Sequence, residues 1–270
     1  MSIYNKVSGA WKTAAQTFVK VSGAWKTAAQ TFVKVSGAWK ACGDVYVKVS
    51  GVWKSTLYES GSQNFTSTGS FTIPAGVYSL TIEMIGGGAG GGTGTESENG
   101  GGGGGGGSGG YIQGALAVIP FTTFTISAIG AGGGGNPKGA GGNSSFVYNA
   151  TTYTANGGST GGNGQQFAGG AGGAGGSISA SLPSGSSASG LTGSNGQAGS
   201  NDGSSGYGGN GADSRNSLGT GGTRGNPSSG TGGNASPYGA GGGGAGFIDR
   251  TGPNIWYGGS GSSGIVKLNW

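Results

Sequence analysis

The sequence contains no histidine and a single cysteine, Cys42. Without histidine, the common Ser-His-Asp and Cys-His catalytic arrangements and ordinary zinc sites are excluded, and one cysteine cannot form an intramolecular disulfide. Charged residues make up only 8% of the chain, and among the eight carboxylates Glu96 and Glu98 form the only close pair. We therefore expect no enzymatic activity, no metal site and no cofactor.

Long apolar runs are also missing, so the sequence predicts no insertion into a membrane. Residues 1–6 lack the apolar core of a signal peptide, and we expect synthesis and folding in a cytoplasm. The net charge of +5 is concentrated in residues 1–60, whereas residues 61–270 are almost neutral. Arginines do not alternate with stacking aromatic residues, so we expect no nucleic-acid partner.

Glycine, by contrast, supplies 73 of the 270 residues, and several runs are interrupted at every third position, as by Ala171 and Ala174. The same spacing relates Tyr207, Asn210 and Asp213, then Thr220, Thr223 and Asn226, then Thr231, Asn234 and Pro237. A polyproline II helix has about three residues per turn, so this spacing places the side chains on one edge and leaves two bare faces for packing. The spacing predicts packed polyglycine II helices, although glycine-rich composition alone is also typical of a flexible region.

The first 60 residues contain a 14-residue tandem repeat, KVSGAWKTAAQTFV at 6–19 and again at 20–33, followed by a divergent and a truncated copy. Strand-forming residues around Ser22-Gly23 predict a hairpin in which Lys20 lies opposite Trp25. One unit is too short to bury its own apolar face, so neighbouring copies must stack. The candidate attachment residues are Trp11, Trp25, Trp39, Trp53, Lys12, Lys26 and Lys40. The alternative is that the tryptophans only fill the core of the repeats.

Residues 61–270 combine the glycine runs with alternating apolar segments that predict strands. We expect strands within 65–85, a pair at 111–118 and 121–129, a hairpin at 145–155 with Asn149-Ala150 at its tip, and a last strand at 264–270. The first and last strands would join in one sheet and hold the ends of the glycine helices. The predicted fold is therefore mostly β and irregular: tandem β-hairpin repeats over 1–60, then a strand-framed sandwich of packed polyglycine II helices over 61–270.

The order FTIPAGVYSLTIEMIGGGAGGG, GGYIQGALAVIPFTTFTISAIGAGGG, NSSFVYNATTYTANGG and GIVKLNW resembles the glycine-rich domain of bacteriophage tail proteins. Together with the lysine–tryptophan repeats, it is similar to the distal adhesins of T-even-type long tail fibres. The resemblance implies that the N-terminal part docks on a trimeric fibre protein at the tip of the tail fibre in the virion. It also implies that loops between polyglycine II helices contact an outer-membrane protein or a surface glycan.

Because the glycine segments alternate with loops, the loops should emerge alternately at two ends. With the first and last strands at the attachment end, the far end receives Thr93–Asn99, Asn136–Lys138, Asn163–Phe167, Ser200–Ser205, Asn226–Ser229 and Phe247–Tyr257. The candidate receptor-binding residues are Phe167, Phe247, Arg250, Ile255, Trp256, Tyr257, Glu96, Glu98, Lys138, Asn201 and Asp202, since aromatic residues and arginine are common interface anchors. The alternative for the longest loop is local packing. The opposite end, with Ser177–Pro183, Ala212–Leu218 and Ala235–Tyr238, is the second choice.

The function expected from these features is that of a non-enzymatic phage adhesin that recognises a bacterial surface. A purely structural component of the tail fibre or baseplate would have the same fold without contacting a receptor. An ice-binding polyglycine II protein would need a flat face of regular threonine or alanine, and the threonines here are too few. A depolymerase is disfavoured by the missing histidine and the scattered carboxylates.

Overall fold

The structure is a computed structural model that describes residues 60–74, 76–95, 99–179, 189–191, 193–203, 205–227, 230–248 and 256–270. Within residues 1–59, it describes the backbone of the strands alone. These described parts are built mostly of strands in antiparallel sheets and contain no α-helix. A single 3-10 turn occurs among them, at Arg215–Ser217.

Hairpins form in the N-terminal repeats, each as a two-stranded antiparallel sheet. Their strands are β1 Ile3–Val7, β2 Ala10–Ala14, β3 Phe18–Val21, β4 Ala24–Thr27, β5 Phe32–Val35, β6 Ala38–Ala41, β7 Tyr46–Val49 and β8 Val52–Ser55. In the second hairpin Lys20 pairs with Trp25 and Val21 pairs with Ala24. The predicted register of this hairpin is therefore confirmed.

Residues 61–270 contain the remaining strands. They are β9 Ser62–Phe65, β10 Gly69–Thr72, β11 Ser79–Ile85, β12 Tyr111–Ala117, β13 Thr123–Ala128, β14 Ser144–Tyr148, β15 Thr151–Ala155, β16 Ser189–Leu191, β17 Ser205–Gly206, β18 Gly219–Thr220, β19 Ser236–Pro237, β20 Phe247–Ile248 and β21 Ile265–Asn269. One sheet has the order β16-β12-β11-β21-β9 and a second has the order β10-β13-β14-β15, while β17 pairs with β20 and β18 with β19. Early and late strands thus lie in one sheet, as expected.

The main apolar core contains residues of both large sheets. Leu80, Ile82 and Met84 alternate along β11 and are fully buried, because successive side chains of a strand point to opposite faces. From the other sheet, the rings of Phe124 and Phe146 stack with centroids 4.6 Å apart. Alternation in the sequence therefore identifies the buried faces correctly.

The expected pairing of residues 111–118 with 121–129 is wrong, since β12 and β13 lie in different sheets. The link between them is bonded to the sheet that contains β13: the Phe121 amide donates to the carbonyl of Ile73, which follows β10 (2.8 Å), and the Ile119 amide donates to the hydroxyl of Tyr148, which ends β14 (2.8 Å). Each strand contributes apolar residues to the core from its own sheet, Ile112 and Leu116 from β12 and Phe124 and Ile126 from β13, so their alternating pattern is the same whether or not the strands pair. Local spacing does not distinguish these two outcomes.

The predicted hairpin tip at Asn149-Ala150 is confirmed. β14 and β15 pair on either side of it, with Tyr148 opposite Thr151. Asn149 and Ala150 both have positive φ, at 48° and 59°. This conformation at both central residues matches the right-handed twist of the flanking strands in a two-residue hairpin.

The glycine segment 100–110 is fully buried, and its amides point in a three-residue cycle toward three neighbouring segments. Gly104 donates to Gly162 (2.8 Å), Gly105 to Gln197 (2.9 Å) and Gly106 to Gly242 (2.8 Å). The next three residues repeat the cycle, donating to Ser159, Ser194 and Gly239. Its carbonyls accept from three further segments, 86–95, 170–176 and 209–212. Six neighbouring segments therefore satisfy this stretch of backbone.

Two other segments, 86–92 and 239–247, are buried in the same way. The amides of Gly90, Gly91 and Gly92 donate to three different segments, through Gly139, Gly259 and Gly104. In the outer segments, by contrast, the residues that interrupt the glycine at every third position face outward. Ala171 and Ala174 are exposed, whereas Gly173 between them is buried. Apart from small buried residues such as Ala89, Ser108 and Ala240, side chains thus lie at the periphery of the glycine region.

A methyl group at Gly105 should destabilise the protein strongly. A Cβ there would lie 2.0 Å from the carbonyl oxygen of Asn210, and backbone on the neighbouring segment cannot move aside cheaply. We expect Gly105→Ala to lower the melting temperature by about 5–10 °C, as about 2–3 kcal/mol of strain would in a domain of this size.

The matched control is Ala171→Ser, which changes an exposed position of an adjacent segment. It should melt within about 1 °C of the wild type, because surface substitutions are usually nearly neutral. Equal melting temperatures for the two variants would show that the glycine segments are not closely packed.

Candidate functional site

Turns from separate parts of the chain meet at the end of the glycine region that lies away from the two large sheets. Gly164 donates to the Thr93 carbonyl (2.8 Å), and Phe167 donates to the Asn99 carbonyl (2.9 Å). The Asn201 carboxamide also donates to that Asn99 carbonyl, at 2.7 Å. We call this region the loop end; its described residues are 93–95, 99, 136–138, 163–167, 200–203, 226–227 and 256–257.

Trp256 and Tyr257, the last two residues of the longest loop, bond to neighbouring segments through their main chain. The Trp256 carbonyl accepts from Gly94 (3.3 Å), and the Tyr257 carbonyl accepts from Gly232 (3.0 Å). The indole of Trp256 covers Gly230, where a Cβ would overlap the ring. The Lys138 ammonium donates a hydrogen bond to the Gly161 carbonyl of a neighbouring segment (3.1 Å). These contacts agree with the alternation of loop positions expected from the sequence.

The candidate receptor-binding residues differ widely in exposure. Phe167 is 69% exposed, whereas Phe247 is 4% exposed and fits the packing alternative rather than a surface contact. Lys138 and Asp202 are exposed, and Asn201, Trp256 and Tyr257 are half-buried. Four candidates lie outside the described residues: Glu96, Glu98, Arg250 and Ile255.

The candidate attachment residues are spread over hairpins of which only the backbone is described. Trp25 and Lys26 lie on β4, and the remaining candidates lie on β2, β6 and β8. They are Trp11, Trp39, Trp53, Lys12 and Lys40. Whether the tryptophans fill a core or face a partner lies outside what is described, so both interpretations stay predictions.

The described surface of the loop end is dominated by carboxamides and hydroxyls. Asn163, Gln165 and Gln166 are exposed around Phe167, and Thr93 and Thr95 lie beside them. The Thr95 hydroxyl donates to the Gly164 carbonyl. Carboxamides offer both donors and acceptors, so this surface can form paired hydrogen bonds with neutral polar groups.

Asparagine side chains at the edges of the glycine region have a structural role that the sequence analysis missed. Their Oδ1 atoms, and that of Asp213, accept hydrogen bonds from backbone amides of the adjacent segment. No further glycine segment supplies a carbonyl to these amides. The acceptor–donor pairs are Asn143 with Gly157, Asn163 with Thr93, Asn195 with Gly175, Asn210 with Arg224, Asp213 with Gly221 and Asn234 with Ser260, at 2.7–3.3 Å. The sequence feature that could have revealed this role is the recurrence of Asn or Asp at the third position of glycine-rich triplets.

The opposite end is packed onto the sheets, and the chain enters there. Leu218 is buried in a cluster with Ile85, Tyr111 and Ile265. The backbones of Gly61 and Trp270 bond to each other in both directions, at 2.8 and 2.9 Å. Of the second-choice loops, 212–218 and 235–238 lie at this end, and 180–183 falls outside the described residues.

Glu83 anchors the 212–218 loop to the sheet. Its carboxylate accepts from the Asn216 carboxamide (2.5 Å) and the Tyr111 hydroxyl (2.8 Å), and its other oxygen lies 3.1 Å from the Lys267 ammonium. Burial raises the Glu83 pKa, but these hydrogen bonds and the lysine charge together hold the pKa below its usual value. Burial and the Glu83 charge raise the pKa of Tyr111, which stays protonated as a donor.

A comparison with known families identifies the larger part of the chain. Residues 64–270 match the sequence profile of the glycine-rich domain. The chain belongs to this glycine-rich domain family. The match begins within β9 and ends at Trp270, so it spans both large sheets and all of the glycine segments. No curated protein matches the chain.

The described ranges offer no candidate for two other kinds of site. They contain no group of histidine, cysteine or acidic side chains able to hold a metal ion. Nor does any helix there have the length and apolarity required to cross a bilayer.

Acid should weaken the anchor at Glu83. Its pKa is lower in the folded than in the unfolded chain, so its contribution to stability is complete above the unfolded value of about 4.3 and is lost as the pH falls through the folded value. We expect Glu83→Gln to lower the melting temperature by a few degrees at pH 7 and by less at pH 3, measured by thermal unfolding. If the melting temperatures of wild type and Glu83→Gln differ equally at both pH values, the ionised Glu83 carboxylate is not the anchor.

Proposed function

We propose that this chain is a bacteriophage tail-fibre adhesin that binds the bacterial surface through its loop end. The proposal is supported above all by one observation: turns distant in sequence meet at the end of the glycine region remote from the sheets. Recognition residues commonly sit on loops that a rigid scaffold positions. The receptor would be an outer-membrane protein or surface glycan, and the protein would act at the tip of the tail fibre in the virion.

The scaffold itself is proposed to be a bundle of polyglycine II helices. The three-residue cycle of amide directions in 100–110 fits a helix with about three residues per turn. Such helices have no internal hydrogen bonds, so all their amides and carbonyls are available to neighbours. At about 3.1 Å per residue, a ten-residue helix would span about 30 Å and hold the loops well clear of the sheets.

Attachment is assigned to residues 1–60. This segment joins the described part at Ser60-Gly61, beside Trp270 and at the end opposite the loop end. Binding and attachment would then occupy opposite ends, as an adhesin on a fibre requires. Several near-identical hairpins would engage a trimeric fibre protein at repeated sites, because linked weak contacts strengthen attachment together.

The longest loop should contribute to adsorption. Replacing residues 249–255 by a Gly/Ser segment of equal length leaves Trp256 and Phe247 in place, so the scaffold should still fold. We expect phage carrying this variant to adsorb to their host at least tenfold more slowly, measured as the adsorption rate constant.

The control is the same replacement at residues 181–187, whose flanking residues lie at the sheet end. It should leave adsorption unchanged. If neither replacement slows adsorption, this loop is not part of the receptor site and a purely structural role gains support.

Removal of residues 6–47 should separate attachment from recognition. We expect the shortened protein to be missing from purified virions while the isolated protein still binds host cells, because the glycine-rich domain keeps its scaffold. Both can be measured by immunoblotting of particles and by cell-binding assays. Virions that retain the shortened protein would disprove the attachment assignment.

A further inference from the structure

Phe167 occupies a backbone position that normally requires glycine. It is the second central residue of the Gln165–Ala168 turn, in which Gln165 and Ala168 exchange hydrogen bonds of 2.8 and 3.1 Å. Its φ is 64°, in the left-handed region. A residue with a Cβ costs about 1–2 kcal/mol there, and a bulky residue is a clear outlier. Its strained backbone, its exposure and its place at the loop end together make the Phe167 ring a candidate contact for a ligand.

The Phe167 ring is exposed to solvent on a turn that hydrogen bonds fix on both sides. Phe167 is 69% exposed, while its amide donates to the Asn99 carbonyl at 2.9 Å. The same carbonyl accepts the Asn201 carboxamide at 2.7 Å. On the other side, the Thr95 hydroxyl and the Thr93 carbonyl bond to Gly164. The backbone below the ring is therefore fixed, so little order would be lost on binding.

The surroundings of the ring fit a sugar better than a protein. Exposed carboxamides of Asn163, Gln165 and Gln166 flank it, and among the described loop-end residues no other large apolar side chain is more than half exposed. A protein interface needs about 800 Å² per partner with a contiguous apolar centre, which the described loop-end residues, with one exposed ring, do not provide.

A pyranose ring has the complementary chemistry. Its apolar C–H face can lie on the electron-rich face of a phenyl ring, and its hydroxyls can bond to carboxamides that both donate and accept. Lys138 and Asp202, the charged side chains described at the loop end, have opposite signs and form no cluster. A neutral saccharide therefore matches this surface.

We propose that Phe167 is the stacking platform of a binding site for a neutral surface glycan, with Asn163, Gln165 and Gln166 bonding to its hydroxyls. This inference rests on the proposed function and narrows its receptor to one class. Phe167 contacts the sugar directly, and the turn beneath it sets the orientation of the ring.

Phe121 provides a matched control at the opposite end. It follows Pro120 at the second central position of the Ile119–Thr122 turn, its φ is 66°, and it is 50% exposed. Phe167→Gly and Phe121→Gly thus remove the same side chain from the same kind of turn. Glycine adopts positive φ without strain, so both variants should fold and melt close to the wild type.

The test first measures adsorption of the wild-type protein to a panel of intact bacteria. Lipopolysaccharide is then purified from an adsorbing strain, and proteoliposomes are prepared with the outer-membrane proteins of that strain but without polysaccharide. Binding of wild type, Phe167→Gly, Phe167→Trp and Phe121→Gly to both probes is measured by surface plasmon resonance, with thermal melting as the folding control.

We expect wild type and Phe121→Gly to bind lipopolysaccharide with equal affinity and to show no binding to the proteoliposomes. Phe167→Gly should bind at least tenfold more weakly, and Phe167→Trp should retain affinity because its ring can still stack. Unchanged affinity of Phe167→Gly, or binding to proteoliposomes alone, would overturn the glycan site while leaving an adhesin role intact. A wild type that adsorbs to no bacterium would contradict the proposed function itself, and the glycan site with it.

Discussion

The rest of the structure depends on the close contact between glycine backbones around residues 100–110. Each amide from Gly101 to Gly110 donates to a carbonyl of a neighbouring segment at 2.8–3.0 Å. A Cβ at Gly104 or Gly107 would meet a carbonyl oxygen of the adjacent 170–176 segment at about 2 Å. Only glycine permits this approach, and the approach gives the buried amides partners without strands or α-helices. Glycine therefore acts here as the packing residue, a role that apolar side chains have in the sheets.

This constraint determines where side chains can lie. Within the buried segments there is room for small side chains alone, such as those of Ala89 and Ser108, so larger ones are restricted to the outer edges, the turns and the strands. At the edges, asparagines such as Asn195 and Asn210 bond to backbone amides that face no further segment. At the sheet end, Leu218 and Asn216 pack or bond to the large sheet. At the loop end, side chains such as that of Phe167 are exposed on a fixed backbone.

Much of this arrangement could be predicted from periodicity. Alternation identified the buried residues of β11, and the strand-forming residues on either side of Asn149-Ala150 identified the hairpin they connect. The sequence did not reveal that β12 and β13 join different sheets, because two amphipathic strands have the same pattern in either arrangement. Nor did it reveal the edge asparagines or the positive φ of Phe167, which depend on neighbours distant in the chain. Phe247 was predicted to bind the receptor because it is aromatic, but its side chain is buried, and burial depends on three-dimensional position.

The central claim is that the glycine segments form the rigid interior of this protein. Hydrogen exchange of the amides from Gly101 to Gly110, followed by NMR on glycine-labelled protein, tests it most directly. If these amides are held by neighbouring segments, they should exchange only through global unfolding, at least a thousandfold more slowly than in an unstructured peptide of the same sequence. Exchange at the rate of the peptide would contradict the account.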